Sequence, residues 1–258
     1  MRERFNRYWK DEGIVIRSTN LGERDRLVTL FTQKRGKIRA LAKGARKVGN
    51  RFGASLDVFN YSEFMFYSGA GMPILMQGLI KFSYRDMTSS LIRWLEGSYL
   101  LYLLDRCWQW EKPEEGLLER VLYFWEIILK KGEDVYSSFL RFKLDLAFYL
   151  GIAPHLESCV LCNRDVEGEA YWSNQEGGVI CPSCASKVPE KVVFPQDLRA
   201  ILRYLSSPGG NLSSLKLSFF QFEELDKILS DYLSYEVGDR VMNWHDFRSI
   251  YQGAVFSS

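Results

Sequence analysis

The chain has 258 residues, of which 47% are hydrophobic and 15% aromatic, so a disordered protein is excluded and a sizeable core is available. No apolar run reaches the roughly 20 residues that span a bilayer, and the charged start has no apolar segment of signal-peptide type behind it. We therefore expect a cytoplasmic protein, neither secreted nor embedded in a membrane.

The formal net charge of +2 conceals a strong asymmetry along the chain. Residues 1–60 carry 15 Lys and Arg against 6 Asp and Glu, whereas the remainder carries 19 against 26. Between Arg26 and Leu56 there are nine basic residues and no acidic one. A basic N-terminal part joined to an acidic remainder predicts a polyanion as the partner of the first part.

Residues 10–82 are dominated by segments that favour β-structure and are separated by turn residues. The predicted strands are 13–17, 26–32, 37–43, 58–67 and 74–82. Five strands in about 75 residues, with long loops between some of them, fit a small barrel.

The third predicted strand has one cationic and one apolar face, because successive side chains alternate across a strand. Ile38, Ala40 and Ala42 form the apolar face, which we expect to point into the core. The other face and the glycine-bracketed loop after it form a surface that can neutralise phosphates, with an ordinary solvated surface as the alternative. The predicted nucleic-acid contacts are Lys37, Arg39, Lys43, Arg46, Lys47 and Arg51.

Three aromatic residues near this basic segment could stack on unpaired bases. They are Phe52, Phe59 and Tyr61. The competing assignment, which we favour for most of the aromatic run 59–67, is the core of the barrel.

From about residue 85 the apolar residues recur at helical spacing, which predicts an α-helical domain over 83–258 after a β-rich domain over 1–82. The predicted helices are 85–109, 114–131, 136–150, 196–205, 219–235 and 243–251. Thr88 or Ser89 is expected to cap the first helix, and Gly151 to end the third. The fold class is therefore expected to be α+β.

Four of the five cysteines form two C-x-x-C pairs with 18 residues between them. Cys159, Cys162, Cys181 and Cys184 have the spacing of a four-thiolate zinc site. The intervening residues 170–173 and 178–181 predict two short strands, so residues 156–188 are expected to form a zinc-ribbon-like module with one structural zinc ion. Disulfides and a redox pair are the alternatives. Nearby His155 is expected to be a loop residue rather than a ligand, and Cys107 a buried thiol.

Sequence motifs for catalysis are missing. The chain has no Walker-type phosphate loop, no G-x-G-x-x-G after a strand, and no local signature of a nucleophile with its base. Acidic pairs such as Glu114–Glu115 and Glu223–Glu224 lie on predicted helix surfaces, where solvation explains them better than a metal-dependent nuclease site. We therefore expect a binding protein and not an enzyme.

The ordered set of motifs resembles the bacterial recombination-mediator family RecO. The resemblance runs through Arg24–Thr32, Gly36-Lys37, Ala42–Lys47, Arg51-Phe52 and, after the helices, Leu150–Pro154 just before the cysteines. It covers essentially the whole chain. One departure is Asn50, where the family commonly has a serine. Some family members lack the cysteines, which supports a structural rather than a chemical role for the metal.

The resemblance implies an N-terminal OB-fold barrel followed by a helical domain that carries the zinc module. It also implies binding of single- and double-stranded DNA, annealing of complementary strands, and help in loading the RecA recombinase onto DNA coated by single-strand binding protein. The implied partners are RecR and the C-terminal tail of single-strand binding protein, and the implied location is the nucleoid.

Two other classes of function remain open from the residues alone. An RNA-directed binding or modifying protein would also use an OB-fold and a zinc ribbon. A scaffold would bind protein partners through its acidic helical part even after the basic surface was neutralised.

Overall fold

The computed structural model describes residues 7–69, 71–130, 135–207, 212 and 215–255. The strands are β1 (Tyr8–Leu21), β2 (Asp25–Thr32), β3 (Gly36–Ala42), β4 (Asn60–Tyr67), β5 (Ile74–Ser83), β6 (Tyr171–Ser173), β7 (Gly178–Ile180) and β8 (Val192–Val193). The helices are α1 (Leu91–Cys107), α2 (Leu117–Leu129), α3 (Val135–Leu150), α4 (Pro182–Ala185), α5 (Gln196–Ser206), α6 (Phe219–Val237) and α7 (Trp244–Val255).

The chain divides into two compact units. The first unit comprises Met1–Gly97 and Trp108–Trp125, and the second comprises Ser98–Cys107 and Glu126–Ser258. The domain boundary expected after residue 82 stays a prediction. The fold class is mixed α+β, as expected. None of the described helices has the length and apolar character needed to cross a bilayer.

The first unit is built around a closed five-stranded barrel in the order β1-β2-β3-β5-β4. All its pairings are antiparallel except the one between β3 and β5, which are joined in parallel at Leu41 and Ile74. Five strands closed in this way form an OB-like barrel. The small-barrel prediction is therefore confirmed.

The alternation predicted for β3 is present on its apolar face. Ile38, Ala40 and Ala42 are buried and belong to one core cluster with residues of β2, β4 and β5. Their partners across β2 include Leu30 and Val28, whose side chains point the same way. The period of two thus identifies the side of β3 that faces the core.

Some element boundaries differ from the predictions. β1 extends well beyond 13–17 because it pairs with β2 on one side and β4 on the other, so partners rather than local apolarity set its length. α2 begins at Leu117 and not at residue 114, since Gly116 before it has a φ of 86°. At the start of α1, Thr88 and Ser89 lie in a 3-10 turn, and it is Ser90 that accepts a hydrogen bond from the amide of Arg93.

The second unit consists of helices and the small sheet β7-β6-β8. α3 is largely buried, and Gly151 ends it, as expected, with a φ of 79°. Ser218 and Gln221 form a capping box at the start of α6. Trp172 of β6 packs edge-on against Phe194 and Tyr232, so the small sheet shares its core with α6.

Candidate nucleic-acid interface and metal centre

The outward face of β2 and β3 is the part of an OB-like barrel that usually receives an oligonucleotide. The register pairs Leu27 with Leu41, Thr29 with Arg39, and Phe31 with Lys37 on this face. One end is covered, because Phe31 is fully buried against the edge of Trp108. The other end, beyond Arg39, leads into the basic loop.

The segment between α1 and α2 lies on the covered end of this face. Its Trp110 ring centroid is 4.6 Å from Lys37 Nζ and 4.5 Å from Arg39 Cζ. The amide of Glu111 donates a hydrogen bond of 2.9 Å to the carbonyl oxygen of Lys37. Lys37 is consequently only 4% exposed, so the predicted cationic face is open at Arg39 but not at Lys37.

Sequence reasoning missed Trp110. Its signal in the sequence is an aromatic residue in a short segment between two helices, two positions after Trp108 and ahead of Pro113. Nothing local connects it to a strand some 70 residues earlier in the chain. Such a contact is a property of the tertiary structure alone.

The loop after β3 carries three of the predicted cations. Lys43, Arg46 and Lys47 are exposed. The amide of Gly44 donates to Asp25 Oδ1 over 2.7 Å, and Arg46 Nη1 donates to the carbonyl oxygen of Gly22 over 2.6 Å. These bonds hold the loop beside the β1–β2 turn, which is a second part of the usual OB-fold ligand site.

Arg51 completes the set in the next turn of the chain. Asn50 Oδ1 accepts hydrogen bonds from the amides of Phe52 and Gly53, over 2.9 and 3.2 Å. This turn buries Phe52 and leaves Arg51 exposed, 5.2 Å from the Phe52 ring centroid. The local hydrogen bonds that a serine would provide are thus supplied by Asn50.

Two of the three aromatic residues considered as stacking surfaces are buried, and the third, Tyr61, is half-buried. Phe52 and Phe59 are 3% and 1% exposed, and Tyr61 donates its hydroxyl hydrogen bond to the carboxylate of Glu12. The core assignment therefore holds for both phenylalanines. By contrast, five predicted cations are exposed, and none of them forms a salt bridge with a described acidic residue. These cations are Arg39, Lys43, Arg46, Lys47 and Arg51.

The four paired cysteines come together in the second unit. Cys159 and Cys162 lie in the turns that precede β6, Cys181 directly follows β7, and Cys184 lies in α4. Their sulfur atoms all lie within 4.8 Å of one another. The predicted hairpin is present, because β6 and β7 pair between the two knuckles and return the chain to the first one.

This cluster fits a tetrahedral metal ion. In a regular four-thiolate site the sulfurs are about 3.8 Å apart, given metal–sulfur bonds of about 2.3 Å. Cys162 Sγ and Cys181 Sγ are 3.7 Å apart. Arg164 Nε donates to Cys162 Sγ over 3.4 Å, and this hydrogen bond lowers the pKa of Cys162 to about 6. Arg164 thus favours the thiolate form of Cys162, which is the form that binds a metal ion.

The neighbouring sulfur atoms change the pKa of Cys184 in the opposite direction. Its pKa is raised to about 12, mainly by the hydrogen bond with Cys181 and further by burial. Four thiolates so close together repel one another unless a cation lies between them. The donor set therefore favours a divalent, thiophilic metal ion over four bare thiols.

His155 is not part of the cluster. Its Nε2 lies 2.8 Å from Ser158 Oγ, and its amide and carbonyl groups bond to Gly177 and Val179. The four sulfurs already supply a full tetrahedron. The expectation of a loop histidine agrees with this placement. Cys107 is buried, also as expected, and the five cysteines form no disulfide.

Comparisons with known proteins match both parts of the chain. The family model described as "Recombination protein O N terminal" matches residues 6–84, and the one described as "Recombination protein O C terminal" matches residues 88–245. A "DNA repair protein RecO" of Alkaliphilus metalliredigens is 31% identical over 242 residues, which cover 90% of this chain and 94% of the relative.

Two further relatives carry the same description. The "DNA repair protein RecO" of Bacillus pumilus is 33% identical over 75% of each chain. That of Bacillus subtilis is 29% identical over 86% of this chain and 87% of its own. The similarity therefore extends over both the barrel and the helical part with its cysteines.

Proposed function

Because the chain belongs to the RecO family of DNA repair proteins, we propose that it is a non-enzymatic, DNA-binding recombination mediator. The observation that carries this proposal is the row of exposed cations along the end of β3 and the loops after it. Five of them lie where an OB-like barrel receives oligonucleotides, and no described acidic residue forms a salt bridge with them.

The five exposed cations bind backbone phosphates of single- and double-stranded DNA. Phosphate contacts carry no sequence information, so binding is largely independent of sequence. Lys37, the sixth predicted contact, lies under Trp110 and adds to the positive potential of the face rather than offering an open ammonium group. Neutralised phosphates allow two complementary strands to approach, and annealing follows if their bases remain free to pair.

The mediator role extends to protein partners. In this proposal the protein helps to load RecA onto DNA coated by single-strand binding protein, and it binds RecR and the C-terminal tail of that binding protein. What supports these steps is the family resemblance. A DNA-directed role also places the protein at the nucleoid, in the cytoplasm.

The metal that fits the cysteine cluster is one structural zinc ion. Zinc prefers four-coordinate thiolate sites, and a complete set of four sulfurs leaves no position for a substrate. Cys159, Cys162, Cys181 and Cys184 would hold it. Its contribution is to stabilise the fold of residues 156–188, not to perform chemistry.

The phosphate contacts can be tested by reversing two charges. We expect Lys43→Glu/Arg46→Glu to bind single-stranded DNA about tenfold or more weakly near 0.1 M salt, because two phosphate contacts become repulsive. The salt dependence on log–log axes should flatten by about 0.7 for each lost contact. Fluorescence anisotropy with a labelled oligonucleotide measures both quantities.

The matched control reverses one lysine and one arginine in the helical unit. Lys130 and Arg248 are exposed there, and Lys130→Glu/Arg248→Glu changes the net charge equally. It should bind DNA nearly as well as the unmodified protein. Unchanged affinity in a folded Lys43→Glu/Arg46→Glu variant would contradict the proposal, as would tighter binding of RNA than of DNA at matched salt.

A further inference from the structure

Trp110 is held against β3 by several backbone contacts. The amide of Glu111 donates to Lys37, and Trp108 Nε1 donates to the carbonyl oxygen of Lys112 over 2.7 Å. Gly36 makes this approach possible, because a Cβ atom there would lie 2.0 Å from the carbonyl oxygen of Lys112. Its φ of 65° is in the region that favours glycine. The tryptophan is thus positioned before any ligand arrives.

The surroundings of the ring are cationic on one side. Lys37 and Arg39 project from the same face of β3, so both approach the ring from the barrel. Trp110 nevertheless remains 43% exposed. A tryptophan ring attracts cations through its π-face and stacks well on nucleobases. This ring therefore has exposed surface left for one more planar group.

Other aromatic residues of the barrel unit lack this combination. Tyr8, Phe82 and Tyr123 are also exposed, but their rings lie against Tyr67, Tyr84 and Arg120, which are outside the predicted phosphate-binding set. Arg51 does lie over Phe52, yet that ring is buried. Among the described residues, Trp110 is the aromatic side chain that is both exposed and in contact with the DNA-binding set.

We propose that Trp110 stacks on an unpaired base of a single strand whose phosphates bind Arg39 and the basic loop. This inference rests on the proposed DNA-binding function and adds a base contact to it. Stacking on a base needs a π-face that is free, and the bases of a duplex cover one another's faces. Trp110 therefore favours single strands over duplexes, which the phosphate contacts alone do not.

The test compares Trp110→Ala with the unmodified protein on two strands, an oligo-dT and an abasic strand of equal length and charge. We expect Trp110→Ala to weaken oligo-dT binding about 5- to 150-fold, the range of one lost base–aromatic stack. Affinity for the abasic strand and for duplex DNA should change less than about twofold. The salt dependence should stay the same, because no phosphate contact is removed.

Three further variants separate the loss of stacking from unfolding and from the loss of cover over Lys37. Trp110→Phe keeps a ring and should retain most of the oligo-dT affinity, whereas Trp110→Leu keeps apolar cover over Lys37 but should bind as weakly as Trp110→Ala. If Trp110→Ala unfolds, the oligo-dT affinities of Trp110→Phe and Trp110→Leu are compared instead. Tyr123, which is 40% exposed with Arg120 Cζ 5.3 Å from its ring centroid, is the matched control. Tyr123→Ala should bind normally.

The outcomes separate this inference from the proposed function. If the unmodified protein binds DNA and the Trp110 variants bind oligo-dT equally well, Trp110 does not stack. Equal losses on the oligo-dT and abasic strands would also overturn the inference, since they would show that Trp110 only positions the cations. If the unmodified protein binds none of the strands, the DNA-binding function itself fails and this inference with it.

Discussion

Lys143 has no exposed surface, although it is a charged residue in the middle of α3. Its Nζ donates hydrogen bonds to Asp226 Oδ1, the Asp226 carbonyl oxygen and Ser230 Oγ, over 2.5, 3.0 and 2.6 Å. Burial lowers the pKa of Lys143, and the negative charge of Asp226 acts in the opposite direction. Every ammonium hydrogen therefore has a partner.

Asp226 extends this network to a third helix. Its Oδ2 accepts a hydrogen bond of 2.6 Å from the amide of Trp244, at the start of α7. One buried carboxylate thus ties together α3, α6 and α7. A buried ion pair whose hydrogen bonds are complete adds little net stability, but leaving one member alone is costly.

Removing only the cation should therefore destabilise the protein. We expect Lys143→Met to lower the free energy of unfolding by about 3–5 kcal/mol, because Asp226 then stays buried without its counter-charge. In the double variant Lys143→Met/Asp226→Asn the cost should be smaller than the sum of the two single costs. Thermal or denaturant unfolding monitored by circular dichroism measures these differences.

Lys130, an exposed lysine of the same unit, provides the control. Lys130→Met should change the unfolding free energy by no more than about 0.5 kcal/mol. Strict additivity of the Lys143 and Asp226 substitutions would show that the two charges do not interact.

At the scale of elements, the hairpin of β6 and β7 is too short to be stable alone. Each strand has three residues, and the third strand β8 has two. Trp172 supplies packing against Phe194 and Tyr232, but the knuckles at both ends of the hairpin depend on the cysteine cluster. A metal ion would link the two knuckles and remove the repulsion between their thiolates.

Purified protein should accordingly contain about one zinc ion per chain by elemental analysis. A strong chelator should accelerate amide hydrogen exchange at 156–188 by at least about a hundredfold, because metal binding and local folding are coupled. Exchange in the barrel strands β1 to β5 should change little. Exchange followed by mass spectrometry locates the effect.

Two cysteine variants sharpen this prediction. Cys162→Ser should lose zinc and protection in the module, whereas Cys107→Ala, which alters the buried thiol of α1, should keep the zinc stoichiometry. Protein that is free of zinc after preparation without a chelator, yet fully protected at 156–188, would rule out the metal's structural role.

At the scale of the whole molecule, charge is divided along the chain. Residues 1–60 contain the basic excess and the remainder the acidic excess. DNA should accordingly be attracted to the barrel surface, and the acidic remainder discourages it elsewhere. This division of charge agrees with the proposal that the helical part binds protein partners.

Binding of single-stranded DNA should fall steeply with salt. Five phosphate contacts give a log–log slope of about −3.5, which is about a hundredfold loss of affinity between 50 and 200 mM salt. Strand annealing, measured with and without single-strand binding protein, should decline over the same range. A peptide nucleic acid of the same sequence has no phosphates and should not bind. Affinity that does not respond to salt would refute the charge mechanism.

Local sequence patterns determined the four clustered cysteines, the core face of β3 and the strands of the barrel. The cysteine spacing identified the four residues that the structure brings within 4.8 Å of one another. Alternation along β3 identified Ile38, Ala40 and Ala42 as core, and turn residues separated the five barrel strands. These features depend on neighbours a few residues apart, where the geometry of a strand or a knuckle is repetitive and can be read directly.

The tertiary structure alone decided what covers each surface. Periodicity placed Lys37 on the outer face of β3, but only the folded chain shows that Trp110 lies over it. Likewise, no local pattern in α3 indicates that Lys143 meets Asp226 in the core. Both contacts join residues more than 70 positions apart, and which distant segment buries a given face is set by packing of the whole chain, not by any local period.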